Sequence, residues 1–170
     1  MEKKLKEQRS VLSTEQEGKY LTFWTDGQLF GIPVSEVIQI VGVQDIIHMP
    51  DYPVYIKGVI CLRGSVIPLM DVRLRLRRAE AAYTDRTCII ITTVFSHSVG
   101  LIVDGVDEVT YIEKEQIAEP PQAGGAVKNE CLTGVAAIKE VKDDTEKIIL
   151  CTNAARLLGE SVLSALSVSC

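Results

Sequence analysis

The sequence predicts an all-β chain of two similar lobes, each a small barrel of about five short strands with few helices. Three observations carry this. The apolar runs are strand-length and rich in Val, Ile and aromatic residues. Turn signals such as Asp26-Gly27 and Arg63-Gly64 separate them at short intervals. The order of strands, hairpins and helical turns also repeats along the chain.

Taken in order, residues 1–18 are polar and charge-mixed and read as an N-terminal arm. Tyr20–Thr25 is a strand, Asp26-Gly27 a two-residue hairpin signal, and Gln28–Ile32 the returning strand, ended by Pro33. Ser35–Ile40 reads either as a helical turn capped by Ser35 or as a strand. Val41–Ile47 runs extended, Met49–Pro53 is a turn-rich connection, and Val54–Ile56 makes a short bridge. Gly58–Leu62 and Val66–Met70 are strands around a turn at Arg63-Gly64-Ser65, and Asp71 can cap a short helix over Val72–Leu74.

Residues 77–86 form a polar link. Thr87–Phe95 is a long apolar strand with both faces buried, Ser96-His97-Ser98 a turn, and Val99–Val103 its return. After a break at Asp104-Gly105, Val106–Ile112 continues as strand. Pro120-Pro121 and Gly124-Gly125 mark a loop over 117–131. Leu132–Ile138 and Lys147–Cys151 form a last strand pair. Asn153 caps a helix over Ala154–Leu158 that Gly159 stops, and 160–170 is a tail.

The repeat is visible as an offset of 69 residues that lays Gly31–Val37 on Gly100–Val106 and the Asp26-Gly27 turn on Phe95-Ser96. Downstream, Gly58-Val59-Ile60 resembles Gly134-Val135-Ala136. Two interleaved lobes are expected, over about 20–86 and 87–152, with closed sheets that hide their edges.

Net charge is −5, which argues against nucleic acid as a partner, because phosphate binding needs a basic surface. No run reaches the roughly 20 apolar residues of a membrane span, and Lys3, Lys4 and Lys6 are not followed by the apolar core of a secretory signal. The expectation is a cytoplasmic protein. Of five cysteines, Cys61, Cys88 and Cys151 lie in apolar runs and are expected reduced and buried, whereas Cys131 and Cys170 flank or end segments and are expected at the surface.

The search for chemistry finds no nucleophile signature, phosphate loop or dinucleotide turn, so no catalytic residue, metal or cofactor is expected. His48 and His97 read as surface or capping residues. Asp104, Asp107 and Glu108 read as a solvated turn, since no calcium-loop pattern surrounds them. Arg75, Arg77 and Arg78 read as a solvated helix face and linker. Arg63, in a tight turn between apolar strands, either pairs with a carboxylate such as Asp71 or points at a partner; spacing leaves both open.

Gly58-Val59-Ile60-Cys61-Leu62-Arg63-Gly64 resembles the Gly-Val-x-Asn-Leu-Arg-Gly signature of the CheW family, and Val66–Arg73 resembles its Val-Ile-Pro-Val-Ile-Asp-Leu-Arg continuation. Phe30-Gly31-Ile32 with Val37 and Ile40, Val99–Val106 and Leu132-Thr133-Gly134 match as well, so the resemblance spans about 19–159. Cys61 replaces the usual Asn, and Gln39 stands where many relatives carry Glu. The resemblance implies two five-stranded SH3-like barrels and a bacterial chemotaxis adaptor without catalysis. Its partners would be the cytoplasmic tip of a chemoreceptor and the regulatory domain of a CheA-like histidine kinase. The receptor groove between the lobes would take Val37, Gly58, Leu62, Arg63, Val106, Val109 and Gly134, and the kinase would meet edge strands of the barrels. Other readings are a fragment of a kinase or response-regulator fusion, a small thiol enzyme, or a ligand-sensing module with a dry pocket.

Overall fold

The computed structural model describes residues 17–120, 131–140, 144–159 and 162. Residues 1–16 of the arm expected over 1–18, most of the 117–131 loop, Cys170 and most of the tail lie outside them. Among the described residues, eleven strands run in chain order as β1 (Lys19–Thr25), β2 (Gln28–Pro33), β3 (Val37–Gly42), β4 (Ile56–Leu62), β5 (Ser65–Asp71), β6 (Cys88–Val94), β7 (His97–Val103), β8 (Gly105–Tyr111), β9 (Ile117–Ala118), β10 (Gly134–Lys139) and β11 (Glu146–Cys151). Two short helices, α1 (Val72–Arg75) and α2 (Ala154–Leu158), follow β5 and β11.

The strands form two sheets, ordered β8-β1-β2-β11-β10-β9 and β3-β6-β7-β5-β4. The fold is mainly β with two SH3-like lobes. The sheets do not follow the chain halves, however. Hairpin β1–β2 lies in the sheet of β8–β11, while β6–β7 lies in the sheet of β3–β5, so each repeat lends its first hairpin to the other. The swap is matched in register: β11 joins β2 in parallel at Cys151 and Gly31, and β5 joins β7 in parallel at Leu69 and Gly100.

Closure by hydrogen bonds, expected from the repeat, is not made among the described residues: β8 and β9 end one sheet, β3 and β4 the other. One sheet also gains a sixth strand, the two-residue β9, and an isolated bridge between Ile47 and Val59 occupies the matching place beside β4. The curl is instead fixed by packing. Val41 of β3 and Ile60 and Leu62 of β4, on opposite edges, share one apolar cluster with Ile67, Leu69, Ile89, Ile91 and Ile102. Ile112 beyond β8 and Ile117 of β9 do the same around Leu29, Ala136, Ile149 and Cys151.

A third cluster binds the lobes together. Leu21, Phe23, Phe30 and Ile32 of one sheet meet Met70, Ile90, Val94, Val99, Leu101 and Val103 of the other, with Leu157 and Leu158 of α2. Strand β6 therefore buries both faces, as its unbroken apolar run predicts: Ile89 and Ile91 enter the lobe core, Ile90 and Val94 the shared one. Each such side chain, fully buried, is worth about 1.5–3 kcal/mol.

Local signals decide the turns. Asp26-Gly27 (φ 51° and 73°), Arg63-Gly64 (51° and 82°) and Phe95-Ser96 (46° and 69°) are two-residue loops with positive φ at both positions, the geometry whose twist suits a tight hairpin. The third loop falls at Phe95-Ser96 and not at Ser96–Ser98, because His97 already pairs with Val94. Ser35–Ile40 holds a 3-10 turn at Val34–Glu36 followed by β3, but Ser35 lies inside the turn and does not cap it: the N-cap position is Pro33, without a side-chain cap bond. Asp71 and Asn153 cap α1 and α2 by accepting from the backbone N–H of Leu74 and Arg156.

Candidate functional site

Val37 opens β3 and Val106 lies near the start of β8, the edge strands related by the repeat. Both are half-buried against the shared core. Both strands carry a bulge at the same place: register shifts after Val37 in β3 and between Val106 and Val109 in β8. Beyond the bulge, Val109 is 57% exposed and its repeat-mate Ile40 is 44% exposed. Sequence reasoning did not select Ile40, although the same 69-residue offset from Val109 leads to it.

Gly58 and Gly134 are buried, Gly58 in the edge strand β4 next to the isolated Ile47 bridge and Gly134 in β10 next to the edge strand β9. A Cβ on Gly58, whose φ is +148°, would stand 2.1 Å from the Ile47 carbonyl oxygen, and one on Gly134 would stand 2.3 Å from the Ile117 Cγ2. Gly58 thus admits the Ile47 backbone, and Gly134 the Ile117 side chain. Leu62 and Arg63 sit at the β4–β5 turn. Leu62 packs on the core of the five-stranded sheet, and the exposed Arg63 makes no ion pair among the described residues. Asp71 is buried, with its carboxyl pushed up by burial against the opposing Leu74 N–H bond, and Arg63 is not its partner. Val37 and Val106 thus meet one core, Gly58, Leu62 and Arg63 share one hairpin, and Val109 and Gly134 belong to the six-stranded sheet.

The expected solvated charges are engaged. Arg73 of α1 grips Asp104 with Nε (2.9 and 3.0 Å) and Nη2 (2.6 Å) and reaches Asp26 at 3.2 Å, fastening α1 to the β1–β2 turn. Burial works to raise the Asp104 carboxyl, but the Arg73 hydrogen bonds and charge, with the Asp26 N–H, outweigh it and hold it below its ordinary value. Asp107 and Glu108 hold Lys147 at 2.7 and 3.1 Å. Arg75 is half-buried and engaged: it lies over the Tyr55 ring at 5.4 Å and donates from Nε to the Leu157 carbonyl at 2.5 Å, satisfying a helix-end acceptor.

Cysteine placement corrects two expectations. Cys61 is exposed because Ile60 takes the inward position and the next residue of a strand points out, while Cys131 is buried in the shared core beside Leu132. Burial raises the Cys88 thiol and pushes Cys151 up to about 11, the opposite of an activated nucleophile. No metal-holding cluster occurs among the described residues, and no helix of theirs is long and apolar enough to cross a membrane.

Curled, hairpin-exchanged sheets with bulged apolar edges fit a β-sheet interaction scaffold. A family model described as the CheW-like domain matches residues 19–162. The chain belongs to the CheW family, whose members are non-enzymatic chemotaxis scaffolds. It is 34% identical over 147 residues to the chemotaxis protein CheW of Bacillus subtilis, covering 86% of this chain and 91% of that protein. To the chemotaxis protein CheW of Klebsiella aerogenes it is 31% identical over 144 residues, covering 82% and 87%. The crystal structure of the scaffolding protein TtCheW from Thermoanaerobacter tengcongensis superposes with a TM-score of 0.72 at 28% identity, covering 85% of this chain and 94% of that one.

Proposed function

We propose that this chain is a cytoplasmic adaptor that couples the signalling tips of chemoreceptors to the regulatory domain of a CheA-like histidine kinase. The receptor tip, a helical hairpin, lays an apolar face against Val37, Val106 and Val109, while Arg63 orients it; Gly58, Leu62 and Gly134 shape the same surface. The kinase meets the lobe edges. The observation that carries this reading is the pairing of Val37 with Val106: two repeat-related residues on two bulged edge strands, half-buried against one shared core, with apolar neighbours left exposed. Arg63, exposed and without an ion pair among the described residues, supplies a cation that a partner can use.

Reconstitution of receptor, kinase and this chain tests the proposal. Arg63→Ala leaves the melting temperature unchanged and lowers kinase activation about tenfold. Val37→Ser weakens capture of the receptor tip and leaves capture of the kinase domain intact. Full activation by Arg63→Ala, or equal loss of both partners in Val37→Ser, overturns the assignment.

A further inference from the structure

The parallel ladder between β2 and β11 has two register pairs only, Leu150 with Phe30 and Cys151 with Gly31. Beyond them, toward Gln28 and Lys147, the strands part and open a cleft of about 580 Å³. Trp24, Leu29, Ile148 and Leu150 give it apolar walls. Trp24 is the single tryptophan of the chain, 40% exposed, and its cross-strand partner Leu29 is buried. An indole left half out of the core is a costly surface residue and a frequent anchor in protein contacts.

Two further observations give the cleft a specific character. Among the described residues, its charged lining is Asp107, Glu140 and Glu146 against Lys147. The Lys147 ammonium is already taken by Asp107 at 2.7 Å, Glu108 at 3.1 Å and Glu140 at 3.7 Å. Arg78, which reaches Gln28 at 3.0 Å, is answered by Asp26 at 3.6 Å. The described residues of the rim therefore carry net negative charge. The cleft also belongs to one lobe. The repeat offset that lays Phe95-Ser96 on Asp26-Gly27 lays Thr93 on Trp24 and Ser98 on Leu29, and Thr93 and Ser98 are cross-strand partners in the other sheet. The same structural position is apolar and aromatic in one lobe and polar in the other, so the fold does not demand the tryptophan.

We propose that the cleft between β2 and β11 is a docking site for a protein segment that presents one bulky apolar side chain flanked by lysine or arginine. The apolar side chain enters beside Trp24, and its basic neighbours meet Asp107, Glu140 and Glu146. The site lies in the six-stranded sheet, away from the Arg63 hairpin, and does not rest on the receptor-groove assignment.

Trp24 is its own reporter. The capped pentapeptide Lys-Lys-Leu-Lys-Lys, titrated into the full chain at low salt, produces a saturable blue shift of tryptophan emission. The peptides Lys-Lys-Ser-Lys-Lys and Glu-Glu-Leu-Glu-Glu do not. Glu146→Lys, on an exposed residue without an ion pair among the described residues, weakens the leucine peptide about tenfold and leaves the circular dichroism melt and receptor-tip capture unchanged. Absence of saturation, equal binding of the serine or acidic peptide, or a shift that follows protein concentration without peptide overturns the proposal. Receptor capture, measured in parallel, reports on the adaptor reading separately.

Discussion

Glu36 sits where the chain crosses from one sheet to the other, and its Oε1 accepts from the Ala154 N–H at 3.0 Å, beside the Asn153 cap of α2. Burial raises its carboxyl pKa above the ordinary value, and the Ala154 bond only partly opposes this. A carboxyl whose folded-state pKa exceeds its unfolded one binds its proton more tightly in the fold. Its contribution is complete below the ordinary glutamate range and is lost as pH rises through the raised value. Glu36→Gln keeps the acceptor and removes the charge. Its melting temperature relative to the parent should therefore rise between pH 4 and pH 7. Glu36→Ala removes the acceptor at both pH values and should cost about 1 kcal/mol. A parallel pH profile for the glutamine variant would show that the carboxylate is not strained. Nothing in the sequence points to Glu36, since its partner is 118 residues away.

The hairpins show how far local chemistry reaches. Asp26-Gly27 and Arg63-Gly64 were legible because a glycine takes one of the two positive-φ positions. Phe95-Ser96 has none, and the loop was misplaced by about a residue, although the repeat aligned it correctly with Asp26-Gly27. Phe95 is 75% exposed there at φ 46°, so its ring offsets little of the backbone strain. Replacing Phe95-Ser96 by Asn-Gly should stabilise the protein by about 1 kcal/mol, read as a higher denaturant midpoint at constant slope. A lower midpoint would mean that the Phe95 ring contributes packing. Caps and strands were equally legible from local residues, down to Asp71 and Asn153. What stayed hidden depends on the far side of the fold. The burial of Cys131, the grip of Arg73 on Asp104 and the seat that Gly58 offers to Ile47 all need segments distant in sequence. The site residues came from motif resemblance, and the bulges that relate Val37 to Val106 carry no signal in composition.

Exchange of hairpins makes the two lobes one cooperative unit. Each sheet is completed by the other repeat, and the shared cluster joins both. Unfolding should therefore give one transition, with Trp24 emission in the six-stranded sheet and amide exchange in β6 of the other reporting the same midpoint. Residues 19–86 and 87–159 made separately should each lack sheet structure, because each would expose its hairpin and its receiving edge, and mixing them should restore it. Independent folding of either piece would contradict the role given to the exchange.

The swap also constrains ancestry. A chain holding one repeat would have no internal acceptor for its hairpin, but two identical copies about a two-fold axis could trade hairpins and rebuild both sheets. Fusing such twins into one polypeptide frees assembly from dilution. It also releases the halves from identity, so that position 24 can carry an indole while its counterpart at 93 carries threonine.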